Sequence, residues 1–470
     1  MKNQQFYKHS CFLLLVAIVV FLINQLPFLT DMRSVMYDEA WYGNTAYNFA
    51  QGDGFLNTAV GSRGNSNFLL PLLTAGFIKL FGCNLLALRL PAVFCGILTL
   101  VFLSLCFKQM KVSTKAQIIT YAFFVSITLY NTIFRCGRPE CVAIMCMAGG
   151  ICMYLRYKER PTWVNMAGLS IFTYLAACGH PYTLLFFALL GVHLLIYSVR
   201  NKEWKILLHE TLLLSVALLA ILSISWVSRK YNIAEENYIQ DRFSMRDVMV
   251  SVPVYFKSAF MSRNTIYILP MLLLLILPIW KKSKYRELTI ITLVFFAFFP
   301  ILFSTDLMMV DLGLDYVVLI ATVLLAVCVD KIEELKPIYR RIVYSLFVLY
   351  CGLSMGISCY YNYKVKYERA NTVLSDDLQS IIPQGAKVFG PLRQWPMVMG
   401  TDYQSDHTCF ITLPQEQYDF IILNSQDTPN YAPYQEILPI DETKMELIYS
   451  RETKQYGVVE VYRRVKELVN

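Results

Sequence analysis

Long apolar stretches recur along the 470-residue chain and are separated by short polar segments. A helix needs about twenty apolar residues to cross a bilayer, and about eleven of the stretches approach that length. Each predicts a membrane-spanning helix, and several end at proline or glycine. They are 10–29, 85–107, 116–134, 139–156, 164–179, 181–199, 208–228, 265–280, 287–304, 314–330 and 342–360.

Clusters of Lys and Arg follow alternate stretches, as in "KQMKVSTK", "RYKER", "RNKEWK", "KKSKYR" and "DKIEELKPIYRR". Short loops on the other side, such as "ACGHPY" and "STDLMMVDLGLD", carry neither residue. The positive-inside rule therefore predicts a cytosolic N-terminus. An odd number of spans then places the C-terminus outside the cytosol. We expect the inner (plasma) membrane of a bacterium, with a periplasmic C-terminal domain.

The first outer loop, residues 30–84, contains two predicted helices. In "DEAWYGNTAYNFAQGDG" apolar residues recur three and four apart on one face. Asp38 is predicted as the N-cap and Glu39 as a first-turn residue, where the helix dipole favours negative charge. Gly52 and Gly54 are predicted to end the helix. "FLLPLLTAGFIKLFG" predicts a second helix that lies in the membrane interface.

The chain changes character after Tyr360. "GAKVFG", "YDFIILNS" and "YGVVEVYRR" are short runs typical of strands, and a helix is predicted at about 369–381. Residues 361–470 are therefore predicted to form a small soluble α/β domain outside the membrane, after a transmembrane domain at 1–360. Another outer segment, 229–264, is interpreted as a loop rich in charge and tyrosine.

Composition agrees with a polytopic membrane protein. Hydrophobic residues make up 56% of the chain and charged residues 16%, against about a quarter charged in soluble proteins. The net charge of +8 does not indicate nucleic-acid binding, because the cations lie in short clusters between apolar runs. The 13 cysteines lie mostly in apolar runs and lack metal-ligand spacing, so neither a structural zinc site nor a disulfide framework is predicted.

Ionisable residues at the outer ends of the spans are candidates for function, because charge near a bilayer is costly. They are Asp38 and Glu39 in the first loop, Arg135 and Arg138 in "FRCGRPE", His180 in "CGHPY", and Asp315 and Tyr316 at the tenth span. A carboxylate can take a proton from a hydroxyl nucleophile, and arginines can stabilise a departing phosphate. The set fits displacement of a lipid-linked phosphate from a sugar's anomeric carbon.

Structural explanations remain open for each candidate. Asp38 would then only cap a helix, Arg135 and Arg138 would reach lipid phosphates, His180 would satisfy a helix end, and Asp315 would be a solvated cap. Two other functions also remain open: a transporter or flippase of lipid-linked sugars, and a non-catalytic envelope scaffold that binds glycan. A transporter is expected to show inverted repeats or broken helices, and the sequence shows no repeat.

Several segments, in chain order, resemble GT-C superfamily glycosyltransferases of the branch with protein O-mannosyltransferases and lipid A aminoarabinose transferase. The segments are "YDEAWYGNTAYNFAQGDG", "FIKLFG" with "LLALRLPAVFCGILTL", "RCGRPE" and "CGHPYTLLF". The similarity covers about residues 10–200, and the remainder agrees only in topology. The chain departs from the family pattern at Trp41, at Gly179 and His180, and at Asp315, which leaves the sugar and the phosphate-binding residues open.

The resemblance implies an inverting enzyme that takes a sugar from a polyprenyl-phosphate carrier on the non-cytosolic face. The family's catalytic base corresponds to Asp38, Glu39 and Tyr42 match neighbouring motif positions, and Arg138 matches an arginine near the lipid phosphate. The expected site is therefore catalytic Asp38 and Glu39, phosphate-binding Arg138, Arg135 and His180, and substrate-binding Tyr42, Tyr316 and Asp315.

The expected partners follow from this resemblance. The donor is a polyprenyl-phosphate-linked hexose or pentose, and the acceptor is a glycan, a lipid or a protein within reach of the membrane. No nucleic acid is expected. No cofactor is required by the expected chemistry, although an incidental divalent-metal site at Asp38, Glu39 and His180 stays open.

Overall fold

The computed structural model describes residues 2–31, 34–61, 67–230, 245–261, 265–302, 310–405, 417–425 and 440–465. Within these ranges the chain forms seventeen α-helices and one five-stranded sheet. The helices, α1 to α17 in chain order, are Lys2–Gln25, Tyr37–Gln51, Leu69–Phe81, Leu85–Met110, Thr114–Ser126, Thr128–Ile133, Pro139–Glu159, Trp163–Gly179, Thr183–Asn201, Trp204–Lys230, Met245–Met261, Thr265–Leu274, Ile276–Trp280, Arg286–Leu302, Val310–Ile332, Pro337–Glu368 and Ala370–Ile381. The strands, β1 to β5, are Lys387–Gly390, Asp402–Ser405, Phe420–Asn424, Met445–Thr453 and Gly457–Arg464.

Within the described residues, each predicted apolar stretch lies largely in one helix or in two consecutive helices. The stretch 116–134 divides into α5 and α6 at Ile127, and 265–280 divides into α12 and α13. Among the described residues, five helices are long and apolar enough to cross a membrane, namely α4, α7, α9, α10 and α16. Shorter apolar helices, including α3 and α8, accompany them. The predicted class, a polytopic helical membrane protein with a small soluble domain, is confirmed.

The helices differ in what surrounds them. Most of α7 is buried inside the bundle, where Cys146, Met147 and Ile151 are fully enclosed. In contrast, α16 exposes large aliphatic side chains such as Leu346 and Val348. A helix face with several exposed large aliphatic side chains is unfavourable in water and suits contact with lipid. The two helices therefore mark the centre and the rim of the membrane domain.

The first loop helix begins earlier than predicted. Met36 is the N-cap of α2, with φ −86° and ψ 155°, so Asp38 is the second helical residue and its predicted N-cap position is wrong. Glu39 does lie in the first turn. The helix ends as predicted at Gly52, whose φ of 95° is left-handed and suits glycine. The second loop helix is also confirmed, as α3.

The interpretation of residues 229–264 as a loop is wrong for residues 245–261, which form α11. Tyr255 and Ala259, four residues apart and therefore on one helix face, are both buried there. The segments 231–244 and 262–264 lie outside the described residues.

The soluble domain contains one mixed sheet with strand order β2-β1-β3-β5-β4. The first three of these strands are parallel, and β5 runs antiparallel to both β3 and β4. Three predicted strands appear as β1, β3 and β5, and the predicted helix appears as α17. The two sheet edges, β2 and β4, were not predicted, because β2 is a polar tetrapeptide and β4 is mostly exposed.

The soluble domain and the first outer loop share one hydrophobic core. Val35, Ala40 and Ala46 from the loop lie in the same buried cluster as Trp395 and Tyr456 from the domain. Each of these side chains is almost completely enclosed. The soluble domain therefore rests directly on the helix that carries Asp38.

Candidate active site

One ion pair joins the N-terminal ends of α2 and α7. The Asp38 side chain is 48% exposed, and its Oδ2 lies 3.0 Å from Nη2 of Arg138. Arg138 is the N-cap residue of α7. The same nitrogen lies 2.9 Å from Oε1 of Glu140, a buried carboxylate in the first turn of α7. One guanidinium is thus shared by an accessible and a buried carboxylate.

The Arg138 guanidinium retains hydrogen-bond donors for a further ligand. Its burial favours the neutral form, but the charges of Glu140 and Asp38 outweigh this and raise its pKa above the ordinary value. Within the described ranges, Nε has no acceptor, and Nη1 contacts the Sδ atom of Met36 at 4.0 Å. A charged guanidinium with spare N–H groups is suited to phosphate oxygens.

Glu39 points in a different direction from Asp38. It is 1% exposed and makes a bidentate ion pair with Arg89 of α4, with Nε–Oε1 at 2.6 Å and Nη2–Oε2 at 2.9 Å. Its Oε1 also accepts a hydrogen bond from the backbone N–H of Gly137 at 3.3 Å. Glu39 therefore fixes the loop helix to the membrane domain and to the turn before Arg138.

Gly137 allows this close approach. A Cβ atom at this position would lie 2.7 Å from the carbonyl oxygen of Leu88, too close for any other residue without backbone movement. The turn that carries Arg138 can therefore pack directly against α4.

Arg135, predicted to bind phosphate, lies in a separate buried network. It is 4% exposed and its Nε donates to Oε1 of Gln25 at 3.0 Å. Gln25 donates in turn to Asn131 at 2.7 Å, and Asn131 donates to Ser358 of α16 at 2.9 Å. Burial lowers the pKa of Arg135 to about 10. The hydrogen bonds of Arg135 thus connect α1, α6 and α16.

His180, the third residue predicted to bind phosphate, is the C-cap of α8 and is buried. Its ring lies 4.6 Å from Tyr182 and 5.9 Å from Tyr316, measured between centroids. In the N-terminal part of α15, Tyr316 is fully buried and Asp315 is 8% exposed. Both interact electrostatically with Arg138. The structure therefore brings His180, Asp315 and Tyr316 to the Arg138 cluster.

Tyr42, predicted to contact substrate, is held by a neighbour within the first loop. Its Oη accepts a hydrogen bond from Nδ2 of Asn67 at 2.8 Å. As for a metal, no group of three or more His, Cys, Asp and Glu residues in the described ranges is arranged to hold one.

An apolar cavity of about 530 Å³ lies between the two loop helices and the helices α8 and α10. Its walls include Phe49, Phe55, Leu72, Leu222 and Trp226. This volume is within the range of about 300–1,000 Å³ that small-molecule pockets occupy. Phe49 lies on the same helix as Asp38, about 16 Å along its axis. The apolar lining of the cavity is suited to a hydrocarbon chain.

The sequence reasoning assigned no role to Arg89 or Glu140. Arg89 lies within the predicted span 85–107. A charged residue in a span requires a partner, so its position in the sequence could have indicated a buried ion pair. Glu140 was visible beside the turn, but nothing in the sequence indicated that it shares Arg138 with Asp38.

Comparison with known proteins defines the fold. No protein-family model matches the sequence, and no curated protein matches it significantly. Among solved structures, the chain is similar to ArnT from Cupriavidus metallidurans bound to undecaprenyl phosphate, with TM-score 0.60, 13% identity and 98% of each chain covered. It is equally similar to the apo state of that protein, with TM-score 0.60, 14% identity and the same coverage. The chain therefore shares the fold of ArnT over almost its whole length, which confirms the fold resemblance predicted from its motifs.

Proposed function

We propose that this protein is an integral-membrane inverting glycosyltransferase, which transfers a hexose or pentose from a polyprenyl-phosphate carrier to an acceptor hydroxyl outside the cytosol. The observation that carries the proposal is the pair of Asp38 and Arg138. It places an accessible carboxylate 3.0 Å from a guanidinium that has spare donors. The similarity to a protein that binds undecaprenyl phosphate supports a lipid-phosphate donor.

The chemistry assigns one step to each of the two residues. The Asp38 carboxylate accepts the proton of the acceptor hydroxyl, and that oxygen attacks the anomeric carbon from the face opposite the phosphate. The carbon–oxygen bond to the phosphate breaks, and the polyprenyl phosphate leaves with its charge stabilised by Arg138. Attack from the opposite face inverts the anomeric configuration.

The shared guanidinium implies an order of events. Asp38 and Glu140 both contact Nη2 of Arg138. A donor phosphate at Arg138 competes with the exposed Asp38 more easily than with the buried Glu140. Donor binding then releases the Asp38 carboxylate for the acceptor hydroxyl. The apolar cavity at the other end of α2 offers a surface for the prenyl chain.

Arg138→Ala is expected to weaken use of the donor. Loss of a charge-assisted phosphate contact costs about 1.5–3 kcal/mol, which corresponds to a roughly 10- to 150-fold increase in the KM for donor. The measurement is the initial rate of sugar transfer by purified protein in lipid nanodiscs, with a synthetic polyprenyl-phosphate sugar. Arg160→Ala, at the opposite end of α7, is the matched control. An unchanged KM in Arg138→Ala would contradict the phosphate role.

The orientation in the membrane is tested with reporter fusions. A reporter that is active only outside the cytosol is expected to be active after Asn470 and inactive after Lys284, because the "KKSKYR" cluster is predicted to stay in the cytosol. A cytosolic reporter is expected to give the inverse result. The opposite pattern would place the Asp38 cluster in the cytosol and would exclude an extracytoplasmic reaction.

A further inference from the structure

We infer that the soluble C-terminal domain positions the catalytic base, through Tyr456 and Arg393, which hold the backbone just before Asp38. That Asp38 is a catalytic base rests on the proposed function. That the domain holds the backbone before Asp38 rests on hydrogen bonds between the domain and residues of the first outer loop.

Both backbone polar groups of Val35 bind side chains of the soluble domain. The Val35 N–H donates to Oη of Tyr456 at 2.8 Å, and its carbonyl accepts from Nε of Arg393 at 2.7 Å. Val35 is completely buried, so these groups need protein partners. It lies three residues before Asp38. The backbone that leads into α2 is therefore held by the soluble domain, which is distant only in sequence.

Tyr456 is itself held in one orientation. It is fully buried, and its hydroxyl donates to Oδ1 of Asn371 at 2.7 Å. Nδ2 of Asn371 donates to the carbonyl of Thr30 at 2.7 Å. Burial raises the pKa of Tyr456, which keeps the hydroxyl protonated and able to donate. The Arg393 guanidinium lies 5.5 Å from the Tyr456 ring and 5.8 Å from the Tyr37 ring, within cation–π range.

The start of the same loop is held from two sides. The fully buried Asp31 carboxylate accepts hydrogen bonds from the backbone N–H of Thr372 at 2.8 Å and from its hydroxyl at 2.6 Å. Thr372 lies in the first turn of α17, where a carboxylate is favoured by the helix dipole. From the membrane domain, Nη1 of Arg89 donates to the carbonyls of Leu29 and Thr30 at 2.8 and 2.9 Å.

This arrangement matters because the base is exposed. A half-exposed Asp38 side chain has room to move, so the position of its carboxylate depends on the backbone that carries it. A displacement of about 1 Å in a reacting group can reduce a rate by about 10²-fold. Tyr456 and Arg393 contact the Val35 backbone that precedes the base. We therefore assign them as positioning residues.

Tyr456→Phe tests the assignment, because it keeps the ring and removes the hydroxyl. We expect the kcat for sugar transfer to fall by about 10- to 100-fold while the KM for a polyprenyl-phosphate sugar stays within about twofold. Amide hydrogen exchange across residues 34–37 is expected to become faster. Tyr462→Phe is the matched control, since its hydroxyl donates to Glu460 within the same domain and should change neither readout.

A second pair of variants keeps the test valid if Tyr456→Phe does not fold. Arg393→Gln is expected to lower kcat with unchanged KM, and Arg393→Lys is expected to restore part of the rate, because it keeps a positive charge beside the two rings. Arg463→Gln, which removes an exposed ion pair with Glu446, is the control.

The outcomes separate this inference from the proposed function. If the wild-type protein transfers sugar but Tyr456→Phe and Arg393→Gln keep normal kcat, or raise only KM, the inference is overturned and the proposed function stands. If the wild-type protein transfers no sugar from the donor, the proposed function fails. The exchange experiment then decides whether the domain holds the segment: faster exchange supports it, and unchanged exchange overturns it.

Discussion

Asp38→Asn is expected to abolish sugar transfer while the protein stays folded and still binds donor. Asparagine keeps the shape of the side chain but cannot accept the proton of the acceptor hydroxyl. Loss of a general base typically costs about 10²–10⁴-fold in rate. The residue is half exposed, so little stability should be lost with its charge. The measurement is turnover of a polyprenyl-phosphate sugar, together with donor binding and thermal stability of the same preparation.

Asp53→Asn provides a matched control, because Asp53 is an exposed aspartate just beyond the other end of the same helix. It is expected to keep full turnover. If Asp38→Asn also kept near-normal turnover, Asp38 would be only a structural residue and the proposed mechanism would be wrong. If it lost donor binding as well as turnover, its role would lie in the donor site.

Glu39→Gln is expected to destabilise the protein strongly. Glu39 and Arg89 are each 1% exposed and form a bidentate pair, and removal of one partner leaves a buried charge uncompensated. Such a change typically costs about 3–5 kcal/mol. Arg89→Met is expected to have a similar effect. The double variant Glu39→Leu with Arg89→Met is expected to lose less stability than the sum of the two single changes, because no buried charge remains.

Thermal unfolding in detergent or nanodiscs measures this effect. Glu287→Gln is the control, because Glu287 pairs with Lys158 at 2.6 Å but is 50% exposed, and such pairs contribute about 0–1 kcal/mol. The same experiment distinguishes a structural from a catalytic Glu39. A Glu39→Gln variant with wild-type stability and no turnover would assign Glu39 to catalysis.

The sequence predicted the helices because apolar runs and their polar boundaries are local signals. Gly52 also ended α2 as predicted, since a left-handed C-cap is a local requirement. The N-cap was wrong because two adjacent acids are favourable anywhere in a first turn, so their presence does not fix the first residue. The edges of the sheet were missed because β2 and β4 take their conformation from neighbouring strands rather than from apolar alternation.

The site was partly predictable for the same reason. Asp38 and Arg138 could be predicted as candidates because they are ionisable residues in loops next to apolar stretches. The partners of the residues in this region could not be predicted, because contacts between distant parts of the chain leave no periodic pattern in the sequence. Glu39 and Arg89 are 50 residues apart, and Val35 and Tyr456 are 421 apart. The sequence could indicate which polar residues needed partners, but the partners were selected by the tertiary fold.

The core shared by the first outer loop and the soluble domain has a consequence for biosynthesis. A ribosome adds about 5–20 residues per second, so the 421 residues between Val35 and Tyr456 take roughly 20–80 s to synthesise. Throughout that time the loop with Asp38 lacks the side chains that complete its packing. We expect the nascent loop to stay protease-sensitive until the region around Tyr456 has been synthesised and has folded against it. Partly synthesised chains would then be inserted in the membrane before the packing around the Asp38 helix is complete.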